Sequence, residues 1–255
     1  MERELTARSC LVTGAGRGIG AAVATALAAD GHRVALLGRD VPALELLAGS
    51  LEGEPLVLGA DVTDPGAVEA AFERIEQRWG PVEVLVSNAG TGLASPIPDT
   101  TDADWARMLE LNLTAPFRLL RRALPAMADR GWGRVVVIAS VVAKRGEAQV
   151  AAYTAAKHGA LGLVRAAAAE YARTGVTVNA ICPGYVDTPM TDQTVAAIAS
   201  RTGRSLDEAR AALARRQPIG RLIEPSEVAE AVRFCLVNGA LTGQGINIDG
   251  GAVQS

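Results

Sequence analysis

The chain has 255 residues, of which 49% are hydrophobic, and a formal net charge of −3 at pH 7. This length suits one large α/β domain or two small ones and can bury a sizeable core. The slightly acidic balance argues against a nucleic-acid partner, which usually requires a basic face. No apolar run reaches the roughly 18 residues of a membrane span, and residues 1–5 are too charged for a signal peptide. We therefore expect a cytoplasmic protein without a membrane partner, whose three widely spaced cysteines are reduced and bind no metal.

The first motif is a glycine-rich turn. The apolar run Ser9–Thr13 leads into Thr13-Gly14-Ala15-Gly16-Arg17-Gly18-Ile19-Gly20, and an alanine-rich amphipathic stretch follows to about Ala29. This order predicts a strand, a tight turn and a helix. Glycines let the backbone turn sharply and let a phosphate approach, and a helix N-terminus offers free N–H groups to a pyrophosphate. The sequence therefore predicts dinucleotide binding at Gly14, Gly16, Arg17, Gly18, Ile19 and Gly20.

The second predicted strand, residues 32–37, indicates which dinucleotide is bound. Folds that prefer NAD commonly place an acidic residue at its end, to bind the ribose 2′-hydroxyl. Here Gly38 and Arg39 stand there, followed by Asp40, which we interpret as a helix N-cap. A guanidinium can donate two hydrogen bonds to a 2′-phosphate, and Arg17 could reach the same group. We therefore expect NADP(H) to be preferred, with NAD(H) possible; the alternative is that both arginines are only solvated.

Strands and helices alternate through most of the remaining chain. The predicted strands are 55–60, 82–86, 134–139, 176–181 and 246–248, and the predicted helices are 65–79, 102–129 with a kink at Pro116, 151–172 and 225–237. This alternation predicts one α/β domain over residues 1–255, a Rossmann fold in which helices cover both faces of a seven-stranded parallel sheet. Residues 188–217 interrupt the alternation with helical patterns at 192–201 and 205–216. We expect them to form a small helical substrate lid.

Tyr153 and Lys157 are four residues apart at the start of helix 151–172, so they share one face. A nearby positive charge stabilises a phenolate and lowers the tyrosine pKa from about 10 toward the working range. Taken alone, this spacing favours a simpler interpretation, an amphipathic helix with a solvated lysine. Ligands, however, bind at the carboxyl ends of parallel strands. Several polar or turn-forming residues follow predicted strands there: Asp61, Asn88, Gly90, Ser140, Pro183 and Gly184.

Together these motifs resemble the short-chain dehydrogenase/reductase superfamily over nearly the whole chain. The matching residues are the glycine turn, Asp61-Val62, Asn88-Ala89-Gly90, Asn112, Ser140, Tyr153-x-x-x-Lys157 and Pro183-Gly184. Ser87 departs from the pattern, because the family often has a second asparagine there. The tail from Pro218 to Gly251 is most similar to the group of 3-ketoacyl-thioester reductases and 3-hydroxyacyl dehydrogenases, although it also fits relatives that act on other ketones.

The resemblance implies roles for individual residues. Tyr153 would exchange a proton with the substrate oxygen, and Ser140 would hydrogen-bond that oxygen. Lys157 would hold the nicotinamide ribose and depress the Tyr153 pKa, while Asn112 would support a proton-relaying water. The remaining implied cofactor contacts are Asp61, Val62, Asn88, Ala89, Gly90, Pro183, Gly184, Val186 and Thr188. The expected substrate pocket is largely apolar and comprises Val141, Val142, Arg145, Gln149, Val150, Tyr185 and Met190, with Arg145 either recognising a carboxylate or phosphate or remaining solvated.

Three functions are compatible with this sequence. The first is NADPH-dependent reduction of a ketone, either a 3-ketoacyl thioester or a bulky apolar ketone. The second is NAD(P)-dependent oxidation of a secondary alcohol in a degradation pathway. The third is a non-catalytic NADP-binding sensor, against which the intact set of Asn112, Ser140, Tyr153 and Lys157 argues. Carrier-protein reductases of this group place docking arginines where this chain has Gly131 and Thr174, which leaves a CoA ester or a free ketone open. The family also implies a homotetramer.

Overall fold

A computed structural model describes residues 7–254, so the expectation for residues 1–5 lies outside it. Within the described range, seven parallel strands form one sheet in the order β3-β2-β1-β4-β5-β6-β7. The strands are β1 Ser9–Thr13, β2 Arg33–Gly38, β3 Leu56–Gly59, β4 Val84–Ser87, β5 Gly133–Ile138, β6 Val176–Pro183 and β7 Gly245–Ile248. The seven-stranded parallel sheet predicted from the sequence is therefore confirmed.

Helices cover both faces of this sheet. They are α1 Gly18–Ala29, α2 Val41–Ala48, α3 Pro65–Trp79, α4 Asp102–Leu109, α5 Ala115–Asp129, α6 Ala151–Tyr171, α7 Pro189–Thr202, α8 Leu206–Ala214 and α9 Pro225–Val237. Successive residues of a strand point to opposite faces, and β1 divides in this way. Leu11 joins the core beneath α3, α5 and α6, whereas Cys10 and Val12 join the core beneath α1, α2 and α9. As predicted, Asp40 caps α2, accepting a hydrogen bond from the Ala43 N–H at 3.2 Å.

The helical stretch predicted at 102–129 is present without interruption, but it is not one regular α-helix. A π-helical segment, Glu110–Thr114, joins α4 to α5, and it contains the buried Asn112. The irregularity lies in this segment, which ends before Pro116, where the sequence predicted a kink. Single π-helical turns are frequent at functional sites. Here the Asn112 side chain, in the wider turn, donates a hydrogen bond to the Thr91 carbonyl in the segment after β4.

The strand order reverses direction at β1. β2 lies on one side of β1 and β4 on the other. The connections on the two sides therefore diverge, and a crevice opens between them at the carboxyl ends of the strands. The glycine turn after β1 and the residues after β4 meet at this crevice. None of the helices in the described part of the chain has both the length and the apolar character needed to cross a bilayer.

Candidate active site

The glycine turn is locked to the end of β4 by hydrogen bonds. Thr13 Oγ1 accepts the N–H groups of Asn88 and Ala89, both at 3.0 Å. The Asn88 side-chain amide donates to the carbonyls of Thr13 at 2.9 Å and Gly14 at 3.1 Å. Gly14 has a φ of 63°, a conformation that favours glycine. The Asn88 side chain therefore stabilises the turn. The sequence predicted only a cofactor contact for this residue.

A cleft of about 420 Å³ opens over this turn. Its walls contain most of the predicted cofactor residues: Gly14, Gly16, Arg17, Gly18, Ile19, Arg39, Asp61, Val62, Asn88, Ala89, Gly90 and Thr188. The walls also contain residues that the sequence interpretation missed, among them Gly38, Thr91, Leu111 and Gln193. Gly38 precedes Arg39 and Thr91 follows Gly90, so the motifs that predicted those two residues could also have indicated their neighbours. Leu111 and Gln193 come from the π-helical segment and from α7, whose placement depends on the tertiary fold.

Gly20 is predicted to bind the cofactor, but the structure gives it a packing role. It is buried and does not line the cleft. A Cβ added there would lie 2.2 Å from the Gly14 carbonyl oxygen and 2.6 Å from Asn88 Nδ2. Only glycine lets the first turn of α1 lie this close to the turn that precedes it.

Arg39 and Asp61 face each other at one end of the cleft. Arg39 Nη1 lies 3.7 Å from Asp61 Oδ2, and the Arg39 side chain is 76% exposed. The other carboxylate oxygen accepts hydrogen bonds from the Thr63 N–H at 2.9 Å and the Thr63 hydroxyl at 2.8 Å. The Thr63 backbone hydrogen bond is the main cause of a lowered Asp61 pKa. Asp61 is therefore a fixed carboxylate, whereas Arg39 holds only a loose, solvent-exposed pair and can turn toward another anion.

The start of α6 places Lys157 in the protein interior. Its side chain is 5% exposed, and Nζ donates a hydrogen bond to the Ile138 carbonyl at 2.8 Å. Burial lowers the pKa of Lys157 to about 8. The interpretation of Lys157 as a solvated surface charge is therefore wrong.

Tyr153 stands beside this lysine, with Lys157 Nζ 5.6 Å from the centroid of its ring. The pKa of Tyr153 is raised to about 12, because burial disfavours the phenolate more than a hydrogen bond with Ser140 favours it. The expected lowering of this pKa is thus wrong for this arrangement, since Lys157 donates to a carbonyl at the end of β5. A raised pKa keeps the phenol protonated at neutral pH.

Ser140 and Asn112 approach the pair from two other elements. Ser140 follows β5 and caps the short 3₁₀ turn Val141–Ala143, accepting the Val142 N–H at 3.3 Å. The Asn112 amide nitrogen donates to the carbonyls of Thr91 at 3.0 Å and Met108 at 3.1 Å. Its Oδ1 is buried and has no partner within the described residues.

Gly90 lies between Asn112 and Lys157. A Cβ added at Gly90 would lie 2.8 Å from Asn112 Oδ1 and 3.6 Å from Lys157 Nζ. The missing side chain leaves an open path between the amide oxygen and the ammonium. The structure therefore places the predicted residues Asn112, Gly90 and Lys157 side by side.

The segment after β6 is held by Gln217, for which the sequence predicts only a place at the end of the lid. Gln217 is 1% exposed, and its side chain accepts the Tyr185 N–H at 2.9 Å and donates to the Tyr185 carbonyl at 3.2 Å. A Cβ at Gly184 would lie 2.2 Å from Gln217 Oε1. Among the predicted residues of this segment, Thr188 lines the cleft, while Pro183, Gly184 and Val186 do not.

The predicted substrate-pocket residues are not all equally accessible. Val141 and Val142 are each 5% exposed, and Met190 lines the cofactor cleft. Gln149 has a φ of 65°, which is uncommon for a residue other than glycine. Its carbonyl accepts the Ser95 N–H at 2.6 Å, and the following residue, Val150, forms an isolated parallel bridge with Ser95.

The polar side chains in this region are paired within the protein. Tyr185 Oη donates to Glu147 at 2.8 Å, and Arg201 Nη1 donates to Gln149 Oε1 at 2.7 Å. Arg145 donates to the Ala252 carbonyl at 3.1 Å. Arg145 is therefore hydrogen-bonded to the C-terminal segment. The sequence predicted either recognition of an anion or a solvated side chain, and not this contact.

The profile of the family described as "short chain dehydrogenase" matches residues 8–199. The chain belongs to this family. Among its relatives, a putative ketoacyl reductase of Streptomyces coelicolor is 40% identical over 250 residues, covering 94% of this chain and 95% of the relative. The 3-oxoacyl-[acyl-carrier-protein] reductase MabA of Mycobacterium tuberculosis is 39% identical, with 96% and 92% covered. The D-beta-hydroxybutyrate dehydrogenase of Cupriavidus necator is 35% identical, with 98% and 99% covered.

Solved structures agree with this assignment. A variant of actinorhodin polyketide ketoreductase crystallised with NADPH superposes on this short-chain dehydrogenase with a TM-score of 0.92 and 37% identity, covering 99% of each chain. Levodione reductase superposes with a TM-score of 0.90 and 33% identity, covering 95% of this chain and 96% of that one. The resemblance stated from the motifs is therefore confirmed.

Proposed function

We propose that this short-chain dehydrogenase uses NADPH to reduce a ketone, a 3-ketoacyl thioester or a bulky apolar ketone, to a secondary alcohol. The observation that carries the proposal is the group of Tyr153, Lys157, Ser140 and Asn112. Within this group Lys157 and Asn112 are buried, and both adjoin Gly90 in the wall of the glycine-lined cleft. The printed names of its relatives, two ketoacyl reductases among them, support the same reaction.

The cleft fits a dinucleotide. Gly18, with a φ of 56°, begins α1, and the N-cap Arg17 leaves the first-turn N–H groups without a side-chain acceptor. No acidic residue lies in that first turn to repel a pyrophosphate. Thr188 approaches the turn closely, since a Cβ at Gly18 would lie 3.0 Å from its methyl group. We assign Arg17 and Arg39 to the 2′-phosphate and Asp61 and Val62 to the adenine end.

When bound, NADPH would supply the hydride for the carbonyl carbon. Tyr153 donates its phenolic proton to the carbonyl oxygen, and the Ser140 hydroxyl donates a hydrogen bond to the same oxygen as negative charge develops there. The Lys157 ammonium would hold the nicotinamide ribose, since its pKa of about 8 keeps it protonated at neutral pH. The partnerless Asn112 Oδ1 accepts a water that returns a proton by way of Lys157.

A panel of 3-ketoacyl-CoA esters, bulky ketones and secondary alcohols, assayed with NADPH, NADH and their oxidised forms, tests this function. Ketone-dependent oxidation of NADPH supports it. Oxidation of alcohols with no measurable ketone reduction would favour the dehydrogenase alternative. Tight NADPH binding with no turnover of any compound would favour the sensor.

The cofactor preference rests on Arg39. Replacing Arg39 with alanine is expected to lower kcat/KM with NADPH by about tenfold, because a charge-assisted hydrogen bond to a phosphate contributes about 1.5–3 kcal/mol and this arginine is exposed. The value with NADH should change little, since the Asp61 carboxylate stays fixed by Thr63. Steady-state kinetics with both cofactors measures the difference.

Arg78→Ala is the matched control for Arg39→Ala, because Arg78 pairs with the exposed Glu54 away from the cleft. It should leave both cofactor values near those of the native enzyme. An equal loss with NADPH and NADH in Arg39→Ala would contradict the 2′-phosphate assignment.

We assign the substrate lid to residues 188–217. Helices α7 and α8 share a small apolar cluster of Val195, Ala209 and Leu213, separate from the two main cores. Salt bridges join Arg210 of α8 to Asp187 and Asp192 at the start of α7. Helices α7 and α8 therefore pack together as one unit beside the cleft, which the start of α7 lines.

We further assign the active form to a cytoplasmic homotetramer. Trp105 of α4 and Phe117 of α5 are each 43% exposed, which provides apolar surface near α6 for contact with another copy. Cys10, Cys182 and Cys235 are buried and unpaired, as in a reducing compartment. Light scattering should give the mass of four chains, and the mass of one chain would contradict this assembly.

A further inference from the structure

Glu147 is the centre of a charged cluster on the loop between β5 and α6. Its Oε1 accepts hydrogen bonds from Tyr185 Oη at 2.8 Å and from Arg216 Nη1 at 2.5 Å. Its Oε2 lies 3.7 Å from Arg145 Nη2. The loop, the segment after β6 and the end of the lid thus meet at one carboxylate.

This cluster contains two guanidinium groups and one carboxylate. The Glu147 side chain is 18% exposed, against 35% for Arg145 and 57% for Arg216. Both arginines have a second anchor that does not depend on Glu147. Arg145 donates to the Ala252 carbonyl, and Arg216 Nη1 lies 3.0 Å from Tyr185 Oη. Without the Glu147 charge, the guanidinium groups of Arg145 and Arg216 would lose the carboxylate that they share. Arg145, and the Tyr185 hydroxyl bonded to Arg216, belong to the expected substrate pocket.

We propose that Glu147 is a specificity-determining residue, which keeps the pocket selective for neutral ketones by occupying the two arginines that would otherwise bind an anionic substrate. An incoming carboxylate or phosphate must displace Glu147 and then lie near its negative charge. A neutral ketone meets neither cost. Specificity of this kind comes from a repulsive group placed against the wrong ligand. This inference rests on the proposed ketone reduction and names the charge class of its substrate.

The test compares 4-oxopentanoate with its methyl ester, which differ in charge at nearly the same size. The measured quantity is the ratio of kcat/KM for the anion to that for the ester, with NADPH. Glu147→Gln should raise this ratio about tenfold over the native value, since it keeps the side-chain shape and removes the charge. Adding Arg216→Gln should bring the ratio back toward the native value. A residue that only supports the fold would lower both kcat/KM values together and leave the ratio unchanged.

Glu54→Gln is the matched control, because it removes one carboxylate from the exposed pair with Arg78, away from the cleft. It should leave the ratio unchanged. An unchanged ratio in Glu147→Gln would overturn the proposal.

A second readout does not depend on turnover. The shift in melting temperature caused by each compound, measured with NADP⁺ present, should grow for 4-oxopentanoate in Glu147→Gln and stay constant for the ester. Equal shifts in the native and variant proteins would overturn the proposal. If the enzyme reduces neither compound but shows the expected shifts in melting temperature, the inference about Glu147 stands and the proposed reaction is contradicted.

Discussion

Tyr153→Phe is expected to lower kcat for ketone reduction by about 10²–10⁴-fold, the usual contribution of a positioned general acid. The change removes only the hydroxyl that gives its proton to the substrate oxygen. The ring remains, so the packing of α6 and the position of Lys157 should persist. NADPH binding, followed by fluorescence titration, should therefore stay within a few-fold of the native value. Steady-state kinetics with a ketone that the native enzyme accepts measures the loss.

Tyr171→Phe provides the matched control for this change. Tyr171 ends the same helix, and it packs against the core below α6. Its replacement should leave kcat nearly unchanged. Turnover by Tyr153→Phe close to that of the native enzyme would remove Tyr153 from the mechanism and would point to another acid.

The second large effect is expected at Gly20. Gly20→Ala would place a Cβ 2.2 Å from the Gly14 carbonyl oxygen, and this oxygen is held in place by the Asn88 amide. Either α1 or the glycine turn must move. Overpacking of this kind costs about 1–3 kcal/mol, which corresponds to a fall in Tm of about 2–12 °C for a domain of this size. The displaced turn should also weaken NADPH binding by about tenfold or more, since each kilocalorie and a half of lost interaction is roughly a factor of ten.

Gly66→Ala makes the same chemical change in the first turn of α3. There the added Cβ would lie 3.4 Å from Asp64 Oδ1, an ordinary van der Waals contact, and Gly66 is exposed. It should keep native NADPH affinity and a native or slightly higher Tm, because alanine favours the helix. Native Tm and native affinity in Gly20→Ala would show that the turn tolerates the displacement.

Several parts of the site could be predicted because they depend on local chemistry. The glycines between β1 and α1 could be predicted to form a tight turn, because such a turn requires positive φ values that glycine adopts easily. Gly14 and Gly18 adopt such values. The Asp40 cap follows from a residue type and its position before a helix. The alternation of strands and helices was enough to predict the sheet, because the hydrophobic periodicity of a strand differs from that of a helix.

Other parts escaped prediction because they depend on contacts between distant segments. Gln217 satisfies the backbone of Tyr185, which no local pattern indicates. The π-helical segment around Asn112 was missed because its residues have ordinary helical periodicity. The substrate region was predicted as a set of pocket walls, but the hydrogen bond between Tyr185 and Glu147 joins the segment after β6 to the loop between β5 and α6.

The sequence by itself determined the family, the order of strands and helices and the chemical identity of the reacting groups, because each of these follows from residue type and spacing along the chain. Only the tertiary structure decided how strongly burial shifts the pKa values of these groups. Burial between β5 and α6 raises the pKa of Tyr153 to about 12 and lowers that of Lys157 to about 8. These shifts depend on how much water the surrounding segments exclude, which no local motif records.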